Sequence, residues 1–185
     1  MASTSKERML RKAAALFRIQ GYHATGLNQL IKEAGAPKGS LYFHFPGGKE
    51  ELAAQAIALS GAELNAAYAE VLHDAPTAGE GVARVASLLG EQLAASGFTE
   101  GCPVATTALE AASTSEPIRL ACDDAFLRWQ RTLTEHLTGH GIPDADAMSA
   151  VVLAAIEGAL LLARTRHDLA PITAVANHLR TTLDG

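Results

Sequence analysis

The sequence contains little of what secreted, membrane-spanning or β-rich proteins require. Its two cysteines, Cys102 and Cys122, are too few for a disulfide framework. Aromatic residues make up 5 % of the chain, and Val and Ile form no long alternating runs of the kind that predicts strands. The N-terminus, MASTSKERML, has no apolar signal core, and the longest apolar stretch, residues 150–163, is interrupted by Glu157 and too short to span a bilayer. We therefore expect a soluble, cytoplasmic, all-helical protein with no membrane partner.

The sequence also lacks the short motifs of common enzymes. It has no GxSxG turn, no Walker loop and no dinucleotide fingerprint. His136 and His140 have a spacing that suits a metal on a helix, but Gly139 and Gly141 indicate that the helix ends there. We expect no catalytic residues, no metal site and no cofactor, and hence a protein that is not an enzyme.

Charge is distributed unevenly along the chain. The first 50 residues contain eight Lys or Arg against three Glu, a net charge of +5. Because the whole chain carries −5, the remaining residues carry −10. This asymmetry is typical of a cationic module that meets a polyanion, although a solvated helix face would give the same pattern.

Apolar periodicity predicts an all-α fold of about nine helices. Ser3-Thr4-Ser5 offers an N-cap for the first helix, and Gly21 is expected to end it. Gly35 is expected just after the second helix, where a positive φ is favourable for glycine. The predicted helices cover about 5–20, 27–34, 37–44, 49–73, 79–96, 103–113, 116–138 and 145–166, with a last one beginning near residue 171.

The first three predicted helices have the spacing of a helix-turn-helix, in which a short turn containing glycine joins two short helices. Pro46-Gly47-Gly48 then breaks the chain before a long helix. We therefore expect a helix-turn-helix DNA-binding domain at 1–48 and an effector-binding and dimerisation domain at 49–185.

The stretch APKGSLYFHFPGGKEEL, residues 36–52, contains the candidate DNA contacts. The first residues of a recognition helix reach base edges, while hydroxyl, imidazole and ammonium groups donate to phosphates. Leu41 and Phe45 are expected in the core, which turns Tyr42 and His44 outward. Thr25 either caps the second helix or donates to a phosphate. The predicted contacts are Thr25, Lys38, Gly39, Ser40, Tyr42, His44 and Lys49.

The segment GYHATGLNQLIKEAGAPKGSLYFHFPGGKEEL resembles the DNA-binding signature of the TetR family of transcriptional regulators. The resemblance covers about residues 5–55 and implies that the seven residues just named contact operator DNA, mostly through phosphates. Gly26 stands where the family usually has Thr or Ser. The FPGGKEEL turn, GCPVATTALEAAS and EGALLLAR are similar to the LmrA/YxaF-like branch, and this similarity implies a small, aromatic, flavonoid- or antibiotic-like effector.

Small residues four apart on the helix at 145–166 allow another helix to approach closely, and its apolar character on all sides requires burial in the domain or in a dimer. The family resemblance implies a homodimer through the last two helices, here with Ala154, Gly158 and Leu162 at the interface. Glu157 in this helix is paired, or it orients a ligand. The candidate effector-binding residues, each of which would serve equally as plain core, are Phe98, Cys102, Val104, Thr107, Phe126, Trp129 and Leu160.

The leading hypothesis is a repressor that a small molecule releases from a pseudo-palindromic double-stranded operator. A helical enzyme acting on a small molecule and a DNA-binding protein without an effector are the alternatives. Turnover of a ligand would favour the enzyme, and the absence of any effector would favour the DNA-binding protein without an effector.

Overall fold

A computed structural model describes residues 4–37 and 39–185, and within them the chain is all-α. Lys38, one of the predicted DNA contacts, lies outside the described residues. Nine helices are present in this part of the chain, as the periodicity predicts: α1 Ser5–Ala24, α2 Leu27–Glu33, α3 Ser40–His44, α4 Gly48–His73, α5 Ala78–Ala95, α6 Ala105–Ala111, α7 Glu116–Gly139, α8 Ala145–Arg166 and α9 Ala170–Asp184.

Contacts divide the chain into two compact units. Unit 1 comprises Met1–Ala62 and Cys102–Phe126, and unit 2 comprises Glu63–Gly101 and Leu127–Gly185. The division does not follow the predicted domain boundary at 48/49, because α6 packs on α1 and the first turns of α4 and α7 belong to unit 1. The predicted boundary stays a prediction about which segments act as functional domains.

In unit 1, α1 packs against α2, α3 and α6. Thr4 and Glu7 form a capping box at the start of α1, so two N–H groups that a helix start leaves unpaired are bonded. The apolar face of α1, with Met9, Ala13 and Phe17, is buried. The core also includes Leu30, Leu41 and Phe45, each of them fully buried.

Gly21 has non-helical backbone angles and breaks α1, as its expected role at the end of the first helix predicts, and the chain resumes helical geometry after the kink as far as Ala24. Its φ of 83° and ψ of 173° lie in a region that is nearly restricted to glycine. Gly35 has a φ of 59° after α2, which confirms the expected glycine C-terminal signal.

In unit 2, α5, α8 and α9 pack together. Thr77 caps α5, its hydroxyl accepting from the backbone N–H of Glu80. The carboxylate of Asp184 accepts from the Thr77 hydroxyl and from the Gly79 backbone N–H, which ties the end of α9 to the start of α5. Trp129 and Tyr68 are fully buried, with ring centroids 5.7 Å apart. The buried face of α8 packs on α5 and α9.

Candidate nucleic-acid interface

Helix α3, the predicted recognition helix, begins at Ser40, three residues later than the sequence predicts. The backbone N–H and the hydroxyl of Ser40 both donate to the Pro37 carbonyl, at 3.0 and 2.7 Å. These bonds close a turn before the helix, so the prediction that Pro37 lies in the first turn of α3 is wrong. Gly39 is the exposed N-cap residue, and a Cβ there would have no neighbour within 4 Å.

The outer face of α3 is strongly aromatic. Leu41 and Phe45 are fully buried, as predicted, so the three residues between them project away from the core. Tyr42 is 62 % exposed and Phe43 is 81 % exposed, while His44 is half-buried between its two aromatic neighbours. Sequence reasoning missed Phe43, although the i, i+4 pair in so short a helix already implies that position 43 faces outward.

Lys49 lies at the start of α4, immediately after the turn that Gly48 makes with a φ of 69°. Its Nζ is 4.4 Å from the centre of the Tyr22 ring, a cation–π arrangement. Partial burial lowers the pKa of Lys49, and the nearby Glu110 carboxylate acts in the opposite direction. Burial, with Glu50 close by, raises the pKa of Tyr22. Lys49 is therefore held against the end of α1.

Thr25 does not cap α2, so that alternative is wrong: Gly26 is the N-cap residue, and no side chain bonds to the helix start. Thr25 is fully buried, and its hydroxyl donates to the Gly21 carbonyl at 2.7 Å. The side chain thus supplies a partner for the backbone beside the break in α1. The Thr25 hydroxyl is therefore bonded within the fold, and its predicted contact with DNA stays a prediction.

The candidate effector residues are divided between the two units. Cys102, Val104, Thr107 and Phe126 lie in unit 1, and Phe98, Trp129 and Leu160 lie in unit 2. Cys102, Val104 and Thr107 share one buried segment with Cys122, whose thiol lies 4.0 Å from the Val104 carbonyl oxygen. Burial raises the pKa of the Cys122 thiol to about 11.

Thr107 has an unusual environment. Its side chain is fully buried in α6, and its Oγ1 has no hydrogen-bond partner among the described residues. In unit 2, Phe98 stacks on His167 at 5.4 Å, and both have a positive φ. An open groove of about 400 Å³ in unit 1 and one of about 310 Å³ in unit 2 are lined by other residues. The structure therefore does not gather the seven candidates around either groove.

Among the described residues, no group of three or more His, Cys, Asp or Glu is arranged to hold a metal ion. The rings of His136 and His140 lie 4.5 Å apart, but His136 Nε2 faces the Ala78 carbonyl at 3.3 Å, and His140 Nδ1 faces the His136 carbonyl at 3.0 Å. Burial lowers the pKa of His136.

One face of α8 is apolar and exposed. The predicted interface residues Ala154, Gly158 and Leu162 all lie on it, and a Cβ at Gly158 would have no neighbour within 4 Å. Val151 is 57 % exposed and Leu161 58 %. The opposite face, with Val152, Ile156 and Ala159 among others, is buried, so α8 is apolar on all sides and only half covered.

Within the described ranges, α8 is also long enough and apolar enough, by length and composition alone, to cross a membrane. The apolar stretch at residues 150–163 is too short to span a bilayer, but the helix that contains it has 22 residues. Length and composition alone do not separate a membrane segment from a helix whose apolar face is covered by another protein chain.

Comparison with known proteins decides the family. Residues 9–56 match the sequence model "Bacterial regulatory proteins, tetR family", and residues 78–178 match "Transcriptional regulator LmrA/YxaF-like, C-terminal domain". The HTH-type transcriptional regulator LmrA of Bacillus subtilis (strain 168) is 39 % identical over 175 residues, covering 94 % of this chain and 93 % of its own. The chain belongs to the TetR family.

Two further proteins illustrate the likeness. The uncharacterized HTH-type regulator YxaF of Bacillus subtilis (strain 168) is 35 % identical over 95 % of this chain and 93 % of its own. A cysteine mutant of the TetR family regulator CifR, solved with 26-bp double-strand operator DNA, has a TM-score of 0.83 at 23 % identity, covering 99 % of this chain and 98 % of its own. The CifR likeness supports the TetR fold.

Family membership makes this chain a DNA-binding transcriptional regulator with a helix-turn-helix. The TetR signature at residues 9–56 contains α2 and α3, so the exposed aromatic face described above lies in the segment that the family uses for DNA. The relatives named here are regulators.

Proposed function

We propose that this TetR-family regulator is a repressor that binds a pseudo-palindromic operator as a homodimer and is released by a small, aromatic effector. The observation that supports it most is the outer face of α3, where Tyr42 and Phe43 are exposed on a helix anchored by buried Leu41 and Phe45. Such a face fits the major groove, which admits an α-helix.

The proposed contacts are of two kinds. Tyr42, His44 and Lys49 donate to phosphates and position the helix on the duplex. Gly39, Ser40 and Lys38 lie at or just before the start of α3, the part of a recognition helix that reaches base edges. Phe43 makes an apolar contact with a thymine methyl group. Thr25 acts indirectly, since its hydroxyl is already bonded to Gly21.

The exposed apolar face of α8, together with α9, forms the proposed dimer interface. Leaving Val151, Leu161 and Leu162 in water is unfavourable, and a second copy would cover them. A two-fold dimer presents two recognition helices, whose half-sites would lie about 34–36 Å apart. The same dimer would make the exposed apolar surface compatible with a cytoplasmic protein.

Effector release rests on the LmrA/YxaF-like C-terminal domain and on Thr107, whose buried hydroxyl is available to a polar group of a ligand. To weaken operator binding a hundredfold, the effector must favour the non-binding state by about 2.7 kcal/mol. Thermal-shift measurements with flavonoids and lincomycin-type antibiotics would identify compounds that bind the protein. A gel shift would then show whether such a compound releases the protein from the operator.

A reporter gene placed behind the operator tests the direction of regulation. A repressor lowers expression when the protein is produced, and the effector restores it. Raised expression would make the chain an activator, and a stable complex that no panel compound dissociates would favour a DNA-binding protein without an aromatic effector.

A further inference from the structure

Glu110, in α6, bonds to the end of α1. Gly21 disturbs the helical ladder there, and the backbone N–H of His23, two residues later, donates to Glu110 Oε2 at 2.9 Å. His23 Nε2 lies 3.1 Å from the backbone oxygen of Glu110, near the end of α6, where carbonyls lack helical partners. A carboxylate that accepts from an N–H after a break acts as a cap. Here the cap comes from 87 residues away in the sequence.

The same carboxylate acts on the start of α4. It is the charged neighbour that favours the protonated form of Lys49, opposing the burial that lowers the Lys49 pKa. Lys49 in turn lies over the ring of Tyr22, the residue between Gly21 and His23. The end of α1, the start of α4 and α6 therefore meet at Glu110.

Glu110 is also close in sequence to Thr107 in the same short helix. The two residues are three apart, so about 4.5 Å of helix rise separates them. An unpaired buried hydroxyl is unfavourable, and a polar group that bonds to Thr107 would remove that penalty. Because α6 has only seven residues, a shift at Thr107 displaces Glu110 as well.

We infer that Glu110 is a positioning residue for operator binding, coupling the placement of α6 to the end of α1 and so to the α1–α2–α3 reading head. This inference rests on the proposed function. With Glu110 engaged, the segment after Gly21 is capped and Lys49 keeps its carboxylate neighbour. Displacement of α6 removes both.

Coupling between two sites is reciprocal, so operator binding must stabilise the engaged position of α6. This allows a test without any effector. Hydrogen exchange, followed by mass spectrometry, is measured for peptides covering residues 105–112 in the full chain, with and without a saturating operator duplex selected from random DNA. Peptides from α9 report general stabilisation by the ligand.

Three variants separate the contributions. Glu110→Gln loses the charge but keeps an oxygen that accepts from His23, whereas Glu110→Ala loses both. Glu116→Gln is the control, because it removes a carboxylate that pairs with Arg119 on the surface of α7. We expect the operator to slow α6 exchange about fivefold or more in the wild type, Glu110→Gln and Glu116→Gln, but less than about twofold in Glu110→Ala.

Equal slowing in Glu110→Ala and the wild type, with both saturated by DNA, would overturn the inference. Unchanged α6 exchange in a wild type that binds the operator would overturn it as well, and this arm needs no variant to fold. If the wild type binds no duplex at all, the proposed function fails first. If the wild type binds the operator but α6 exchange does not respond, the role of Glu110 is refuted and the proposed function is not.

Discussion

Replacing Lys49 by Gln should weaken the dependence of operator binding on salt. Each phosphate that a protein neutralises contributes about 0.9 to the slope of log affinity against log salt concentration. The proposed homodimer carries two copies of Lys49, so the magnitude of the slope should fall by about 1.8. When salt rises from about 50 to 200 mM, the fold-loss of operator affinity should therefore be roughly ten times smaller for the variant than for the wild type.

The structure makes this result informative, because Lys49 Nζ has a competing partner. It lies 4.4 Å from the Tyr22 ring and near the Glu110 carboxylate, and DNA must offer more than these contacts do. The assay is fluorescence anisotropy of a labelled operator, titrated at several salt concentrations. Arg131→Gln is the control: it removes one positive charge from an exposed residue of unit 2.

An unchanged slope for Lys49→Gln, with a lower affinity at every salt concentration, would show that Lys49 stays on Tyr22 in the complex and contributes by holding the end of α1. An equal reduction in Lys49→Gln and Arg131→Gln would mean that overall charge, and no local phosphate contact, sets the slope. Either result would refute the assignment.

Four further predictions concern other parts of the chain. Gly21→Ala should lower the free energy of unfolding by about 1–3 kcal/mol and Tm by roughly 5 °C, because the backbone there is strained for alanine and the new Cβ would displace the Glu110 carboxylate. Gly26→Ala is the control and should be near neutral, since its Cβ would enter open space at a φ of −83°. The same Tm for both variants would contradict this prediction. Phe43→Ala should lose affinity for the selected operator but bind a deoxyuridine-substituted operator as well as the thymine one, so a continued preference for thymine would exclude the methyl contact. Gly158→Trp should disrupt the dimer and weaken operator binding, as sedimentation and gel shift would show, and a wild type that is monomeric at micromolar concentration would refute the interface. Burial raises the pKa of Cys122 from 9.0 to about 11, so the neutral thiol contributes stability below pH 9 that is lost as pH rises from about 9 to 11. Urea melts of the wild type and Cys122→Ala should show this loss in the wild type only. Parallel curves of unfolding free energy against pH for the two proteins would contradict the prediction.

The sequence predicts the helices well because each has its own local signal. Buried residues at helical spacing, with caps such as Thr4 and Thr77, mark most boundaries to within a few residues. The prediction fails at α3, where a three-residue turn and a helix start look alike in sequence. Only the bonds from Ser40 to the Pro37 carbonyl distinguish the two.

The interface was partly predictable. Tyr42 and Phe43 face outward because Leu41 and Phe45 are four apart and buried, a local argument. Thr25 is fully buried, and its hydroxyl donates to the carbonyl of Gly21, where α1 breaks. The glycine signals the break itself, but periodicity does not show that the Thr25 hydroxyl bonds back to the Gly21 carbonyl.

Contacts between residues far apart in the chain could not be predicted from the sequence. Glu110 and His23 are 87 residues apart, and neither has a local pattern that indicates the other. The same limit applies to the candidate effector residues. They share apolar character, which selects buried positions in general, and the structure divides them between two units. The breaks at Gly21 and Gly35, by contrast, have a local signal, because a glycine at the end of a helical pattern favours a positive φ.

Sequencing the DNA that the purified protein retains from a random pool tests the central claim most directly. The account predicts an enriched inverted repeat whose half-site centres lie about one helical turn, or 10–10.5 base pairs, apart or a multiple of that spacing. Its consensus should weaken when the pool is selected with Tyr42→Ala or Phe43→Ala. Enrichment of no sequence, or of a single unrepeated site bound by one protomer, would contradict the account.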